Sequence, residues 1–195
     1  MNAEGKNETS YLRLFLGSFV DIQEFFDYDS LQENLKDHFK CPIRYVERPN
    51  LHMTWKFIGN TNNDVLPEFI GLIKNTVSGV SDILINFNQF EIWPNSKAPR
   101  QLVITGKDLN GNATEFYNRL NAGIQKFGIK KEKRKFNPHI TLARFKLKEK
   151  PEKRFILPEK FTLNEKKINF KEIVLIKSIL GPKGSTYKEI KKFNL

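Results

Sequence analysis

Hydrophobic and polar positions along the chain alternate between two periods, one close to 2 and one close to 3.6. Tyr11 to Phe19 is a short apolar run that predicts a first strand. From Asp21 to Phe39 the apolar residues Phe25, Leu31, Leu35 and Phe39 fall roughly along one helical face, and Pro42 follows soon after. Ile43 to Glu47 and Leu51 to Ile58 read as strands either side of the turn-prone Arg48-Pro49-Asn50. Val65 to Val77 predicts a second helix, capped near Asn63 or Asp64. Ile83 to Trp93 and Gln101 to Thr105 are predicted strands around the loop Pro94 to Arg100. Asn112 to Phe127 is a third helix, closed by Gly128. Further strands are predicted at His139 to Lys146, Phe161 to Leu163, Asn169 to Leu180 and Tyr187 to Phe193. Three helices among many strands give an α+β fold. The polar stretch 1–10 is expected to be a flexible terminus, and 11–195 one domain.

Composition narrows this picture. The 195 residues suit one ordinary domain or two small lobes, and 39% apolar content with 17 phenylalanines supplies a core. A lone cysteine, Cys41, excludes an internal disulfide and a multi-thiolate zinc site, which favours a reducing, cytoplasmic setting. The apolar run Leu12 to Val20 carries Arg13 and Ser18 and is too short to span a bilayer, so no membrane association is expected. A net charge of +11 suits a polyanionic partner such as RNA. Lysine supplies most of that charge and Asn and Ile are also abundant, so an AT-rich coding sequence explains the same excess. The charge supports a case made elsewhere in the chain.

That case is made by histidine. The chain holds three, His38, His52 and His139, and two of them share a frame: His52-Met53-Thr54-Trp55 and His139-Ile140-Thr141-Leu142. With nine threonines in the chain, two of three histidines fall into this frame by chance on the order of one time in a hundred. In a strand, residues two apart share a face, so each imidazole projects beside a hydroxyl. Imidazole exchanges protons near neutrality, and threonine can donate to a phosphate oxygen. Such a pair can open a strained cyclic phosphate without a metal. One histidine takes a proton from water while the other protonates the departing sugar oxygen. A lone strand histidine is more often a buried structural residue, and threonine is common in strands for packing. Two histidines without a nearby acidic or thiol set also fall short of a zinc site. His38, between Lys36 and Lys40, reads as a surface residue.

At these motifs the chain resembles the two-histidine phosphoesterase superfamily, and within it the RNA 2′,3′-cyclic phosphodiesterases once called 2′-5′ RNA ligases. Arg13-Leu14-Phe15-Leu16 is similar to the opening strand, Arg48 to Gly59 to the first motif, and Phe136 to Arg144 to the second. The tail from Ile173 through Ser178, Leu180, Gly184 and Tyr187 to Leu195 is similar to the closing hairpin. The resemblance implies a bilobal fold of two antiparallel sheets with flanking helices and a central cleft. It implies catalytic roles for His52 and His139, and phosphate binding by Thr54, Thr141 and Arg144. Strict alternation turns Arg144 away from His139, so a bulge, a twist or the following loop must redirect it. The implied reaction is hydrolysis of a 2′,3′-cyclic phosphate to a 2′-phosphate, with no cofactor, by a monomer acting on RNA ends or small cyclic nucleotides. Phosphodiesterase action on 2′-5′ linked oligonucleotides, or RNA binding without turnover, are the alternatives. The chain departs from the family pattern at Trp55, at Asn60 and at Gly17-Ser18, and alternation assigns Trp55 to the core. Lys130, Lys131, Lys133, Arg134 and Lys135, with Lys146, Lys148 and Lys150 beyond, form a basic field near the second motif. That field either guides RNA or is merely solvated. Phe57 and Trp93 are candidates for stacking on a base, although strand phenylalanines usually belong to the core.

Overall fold

The first apolar run folds as β1 (Tyr11–Phe19), and its alternation decides what each face meets. Leu14 and Leu16 enter the main core, whereas Phe15 and Phe19 join a small second cluster on the opposite face. The computed structural model describes residues 11–147, 151, 154–159, 161–182 and 184–195. The flexible terminus expected at 1–10, and Lys148 and Lys150 of the basic field, lie outside the described residues.

The helix expected over Asp21 to Phe39 is divided by its own capping residues. Asp21 caps a short 3₁₀ turn, Ile22–Glu24, and α1 (Tyr28–His38) starts afresh at Asp27. The Asp27 carboxylate accepts hydrogen bonds from the amides of Asp29 and Ser30, satisfying donors the helix itself cannot. Then follow β2 (Ile43–Tyr45), β3 (His52–Asn62), α2 (Leu66–Val77), β4 (Ile83–Trp93) and β5 (Gln101–Asp108). Helix α3 (Asn112–Gly123) passes into a 3₁₀ turn that Gly128 ends at φ 72°. The chain finishes with β6 (His139–Phe145), β7 (Lys166–Phe170), β8 (Glu172–Gly181) and β9 (Gly184–Asn194).

Two expectations need correction. Phe161 to Leu163 is not a strand; both residues pack on the core from an irregular segment, and the strand lies at β7. The run Asn169 to Leu180 is two strands parted at Lys171, because β7 pairs with β4 whereas β8 pairs with β1. No turn residue marks that change of partner.

The nine strands assigned among the described residues run in the order β7-β4-β5-β6-β3-β1-β8-β9, with β2 also on β6. Every pairing is antiparallel. The sheet is thinnest at its middle, where β3 and β6 meet through one residue pair, Met53 with Ile140. Each half repeats one path: β1–α1–β3 and β5–α3–β6 both send a strand through a helix and back alongside itself. The two lobes expected from the paired motifs are therefore joined edge to edge at the motifs themselves.

Trp55 ties the halves together. It is 1% exposed, stacks on Phe136 at 5.4 Å and 13°, and meets Phe116 and Phe170 edge-on. Its indole N–H donates to the Ser18 hydroxyl, which in turn donates to the Glu172 carbonyl. The polar pair Ser18 and the large Trp55 thus explain each other. Replacing Ser18 with Ala should leave both the indole N–H and the Glu172 carbonyl without a partner and cost about 1–3 kcal/mol. Urea denaturation should show a lower midpoint at unchanged slope. An unchanged midpoint would mean that water replaces the hydroxyl.

Candidate active site

The pairing of Met53 with Ile140 sets the site. Both residues are fully buried, so their neighbours on either side turn to the opposite, open face. Extending the antiparallel register by one residue each way sets His52 opposite Thr141 and Thr54 opposite His139. The two imidazoles and two hydroxyls thus form the corners of one quadrilateral, with each histidine beside the other motif's threonine.

Both rings are held the same way. Nδ1 of His52 lies 2.6 Å from the Asn50 carbonyl, and Nδ1 of His139 lies 2.9 Å from that of Asn137. A carbonyl only accepts, so each Nδ1 carries the proton and each Nε2 is left for chemistry. Burial pushes both imidazole pKa values below their usual range, opposed in each case by the carbonyl contact. His139 and Arg144 lower His52 further, and Arg134 does the same to His139. Around His52 stand Phe15 at 4.9 Å, Tyr187 at 5.2 Å and Phe19 at 6.3 Å between ring centres. His139 rests on Trp93 at 4.5 Å. Glu91 fixes that indole, accepting from its N–H and, through its other oxygen, from the Thr105 hydroxyl, both at 2.8 Å. Gly17 relieves this crowding. A Cβ there would come within 3.0 Å of the Met53 carbonyl and 3.4 Å of the His52 ring.

Arg144 reaches the open face through a bulge. Along β6, Val103 pairs with Thr141 and Leu102 with Ala143, so Leu142 is the extra residue and the alternation shifts by one. Leu142 and Ala143 are both buried, and Arg144 emerges on the side of His139 and Thr141. The bulge is clamped twice: the Leu142 carbonyl accepts from the Val46 amide, just after β2, at 2.8 Å and from the Tyr28 hydroxyl of α1 at 2.6 Å. The same device operates in β3. Trp55 is extra between Thr54 and Lys56, which brings out Phe57, 65% exposed. Trp55 and Leu142 both stand three residues after their histidine, and Phe57 and Arg144 both stand five after.

The sequence-predicted residues His52, Thr54, His139, Thr141 and Arg144 thus share the open face of the join. His38 lies apart, on the Ile156 carbonyl. A cavity of about 570 Å³ extends from His139 and Thr54 past Phe57, Trp93 and Phe136 to Arg134. Of the basic segment, Arg134 and Lys135 line it; Arg134 is already paired with Glu132 at 2.8 Å. Lys56 is buried and anchors the segment, donating to Asn121 Oδ1 at 2.8 Å and to the Lys130 carbonyl at 3.4 Å. Tyr28, Lys56 and Glu91 were not legible as site residues, since each acts through a partner distant in sequence or in a bulge. The shared frame Asn50-x-His52-x-Thr54 and Asn137-x-His139-x-Thr141 was available as a longer signal. Among the described residues no group of three or more His, Cys, Asp and Glu side chains is arranged to hold a metal ion, and no helix is long and apolar enough to cross a membrane.

Comparison with known proteins gives the chain a family and its fold close counterparts. A family model described as LigT like phosphoesterase covers residues 27–103 and 104–187 in two successive matches. The RNA 2′,3′-cyclic phosphodiesterase of Methanocaldococcus jannaschii is 31% identical over 191 residues, 93% of this chain and 100% of that protein. The protein of the same name from Archaeoglobus fulgidus is 29% identical over 93% of this chain and 99% of its own length. A crystal structure of a Thermus thermophilus protein shares the fold at TM-score 0.74 and 23% identity, covering 94% of this chain and 98% of that one. Escherichia coli LigT complexed with 3′-AMP shares it at TM-score 0.71 and 20% identity, over 95% and 99% of the two chains.

The partial burial of both rings has a direct test. In an NMR pH titration, His52 and His139 should each show a midpoint below the usual imidazole value of about 6.5, with nitrogen shifts of the Nδ1-protonated tautomer. A midpoint above that value for either ring would mean that the carbonyl contact outweighs desolvation.

Proposed function

Because the chain belongs to the LigT-like phosphoesterase family, we propose that it hydrolyses RNA 2′,3′-cyclic phosphate ends to 2′-phosphates through His52 and His139. The carrying observation is the pair of Nδ1-anchored imidazoles, each with Nε2 left for proton transfer beside a threonine of the other motif. One Nε2 takes a proton from water as the water oxygen bonds to phosphorus. The bond from phosphorus to the 3′ oxygen breaks, and the other Nε2 gives its proton to that oxygen. The histidines exchange protonation states, and nothing else is consumed except water. Thr54 and Thr141 donate to the non-bridging oxygens, and Arg144 balances the charge that accumulates there.

Both proton-transfer roles are filled by side chains, so the proposed reaction needs no metal. One chain supplies both motifs, so the site is complete in a monomer and 11–195 acts as one catalytic unit. The single cysteine and the basic charge suit work on RNA in the cytoplasm.

An RNA ending in a 2′,3′-cyclic phosphate, incubated in EDTA, should yield a 2′-phosphate with the parent protein. His52→Ala and His139→Ala should each lower kcat by about 10²–10⁴-fold. Loss of activity in EDTA that added metal restores would overturn the metal-free reading. Absence of product alongside intact RNA affinity would favour a binding module.

The pH profile follows from the burial of the rings. Activity on free substrate requires one imidazole neutral and the other protonated, so kcat/KM is bell-shaped and peaks midway between the two pKa values. Both are depressed in the free protein, so the peak should fall below about pH 6.5, the ordinary imidazole value, a rate assay against pH being the check. A peak above about pH 7 would require a different acid.

A further inference from the structure

The wall of the cleft beside His52 carries a charge arrangement that the reaction at the cyclic phosphate does not use. In the pairing of β2 with β6, Arg44 stands directly opposite Arg144, and both are exposed. Like charges directly opposite one another destabilise a strand pair. Nothing nearby relieves them: among the described residues no ion pair involves Arg13, Arg44 or Arg144. Arg144 has only a neutral partner, Gln101 Oε1 at 3.3 Å. The Arg44 guanidinium lies against the start of β9, where a Cβ on Gly184 would be 3.8 Å from its Nη1.

Tyr187, three residues further along β9, places this cluster relative to the site. Its ring stands edge-on to His52 at 5.2 Å and to Phe15 at 5.1 Å. Burial raises the pKa of the Tyr187 hydroxyl, and the charges of Arg144, Arg44 and Arg13 each oppose that rise. Arg13 and Phe15 share a face of β1, so Arg13 enters from the lobe that carries His52. Four strands, β1, β2, β6 and β9, therefore converge on one uncompensated positive rim.

Resting on the cyclic-phosphate reading, we propose that Arg44 and Arg13, with the Tyr187 hydroxyl, hold the phosphodiester on the 5′ side of the terminal nucleotide while Arg144 serves the cyclic phosphate. The cross-strand repulsion is then offset when RNA lies across the rim. Planar guanidinium groups suit this, because each can present two N–H donors to one phosphate. The substrate class is narrowed accordingly: a polynucleotide end is held at two phosphates, a nucleoside cyclic phosphate at one.

Binding separates this from turnover. The ligands are adenosine 2′-monophosphate and a dinucleotide ending in the same 2′-phosphate, titrated against the full chain at fixed salt. The parent should prefer the dinucleotide by about tenfold, the scale of one or two charge-assisted contacts at an open surface. Arg44→Gln should cut that preference to about twofold and reduce the slope of log affinity for the dinucleotide against log salt by roughly 0.7. Arg13→Gln should act in the same direction. Thermal stability of Arg44→Gln should hold or rise, since the variant removes a like-charge pair; a purely structural Arg44 would lower it. A parent that binds both ligands equally, or an Arg44→Gln variant that keeps the preference, overturns the proposal. If the preference and its loss are seen but no cyclic phosphate is opened, the second phosphate site stands and the reaction assigned above fails.

Discussion

The site depends on a seam one residue pair wide. Met53 and Ile140 are both apolar and fully buried, which leaves the flanking residues on the opposite face. A slip of one residue in either strand would bury an imidazole and expose an apolar side chain, so burial of these two residues enforces the register. The narrowness matters as much as the register. Beyond the seam β3 continues along β1, and β2 takes its place beside β6. The halves can therefore diverge, and a cavity lined by Thr54 and His139 opens beside the join.

The bulges convert that shared frame into two different walls. Each begins three residues after its histidine, and each is pinned by a buried aromatic residue with a polar atom. Trp55 reaches the Ser18 hydroxyl through its own indole, and the Tyr28 hydroxyl lies against the Leu142 carbonyl. A bulge without such a partner would be free to move along its strand; these are fixed by buried hydrogen bonds. Trp55 also stacks on Phe136 at the entrance to the second motif. One side chain thus braces both halves.

Much of this is legible in the amino-acid sequence. Strands β1 and β4 were read to the residue, and the two histidines and threonines were found because strand alternation makes a three-residue frame a statement about one face. Arg144 was legible only as a difficulty: alternation forbade it, and a bulge was one of the three remedies. Which residue bulges depends on β5 and on Tyr28, neither adjacent in sequence. For the same reason Phe57 stays undecided between base stacking and the core in the sequence, since strand phenylalanines are usually buried and an upstream bulge reverses the expectation. Lys56 illustrates the converse. A lysine in a strand reads as solvated, yet the Asn121 side chain and the Lys130 carbonyl allow it to be buried. The break at Lys171 was hidden because pairing partners, rather than local turn residues, end β7 and begin β8.

A symmetric frame poses a chemical problem, because acid and base catalysis at one phosphate requires two imidazoles in opposite protonation states. Here the backbone treats them alike: each has its Nδ1 on the carbonyl two residues earlier, and each is desolvated. The difference must come from what surrounds them. His52 sits among Phe15, Phe19 and Tyr187 and feels Arg144, whereas His139 rests on a Trp93 held by Glu91 and feels Arg134. Five residues after each histidine the chain places an aromatic ring in one half and a cation in the other. A bound anion would meet unlike walls on its two sides and would favour the charged form of whichever imidazole it approached more closely. In the proposed reaction the substrate would then complete the assignment of roles. A two-fold scaffold carries a reaction with a direction because its two equivalent bulges deliver inequivalent side chains.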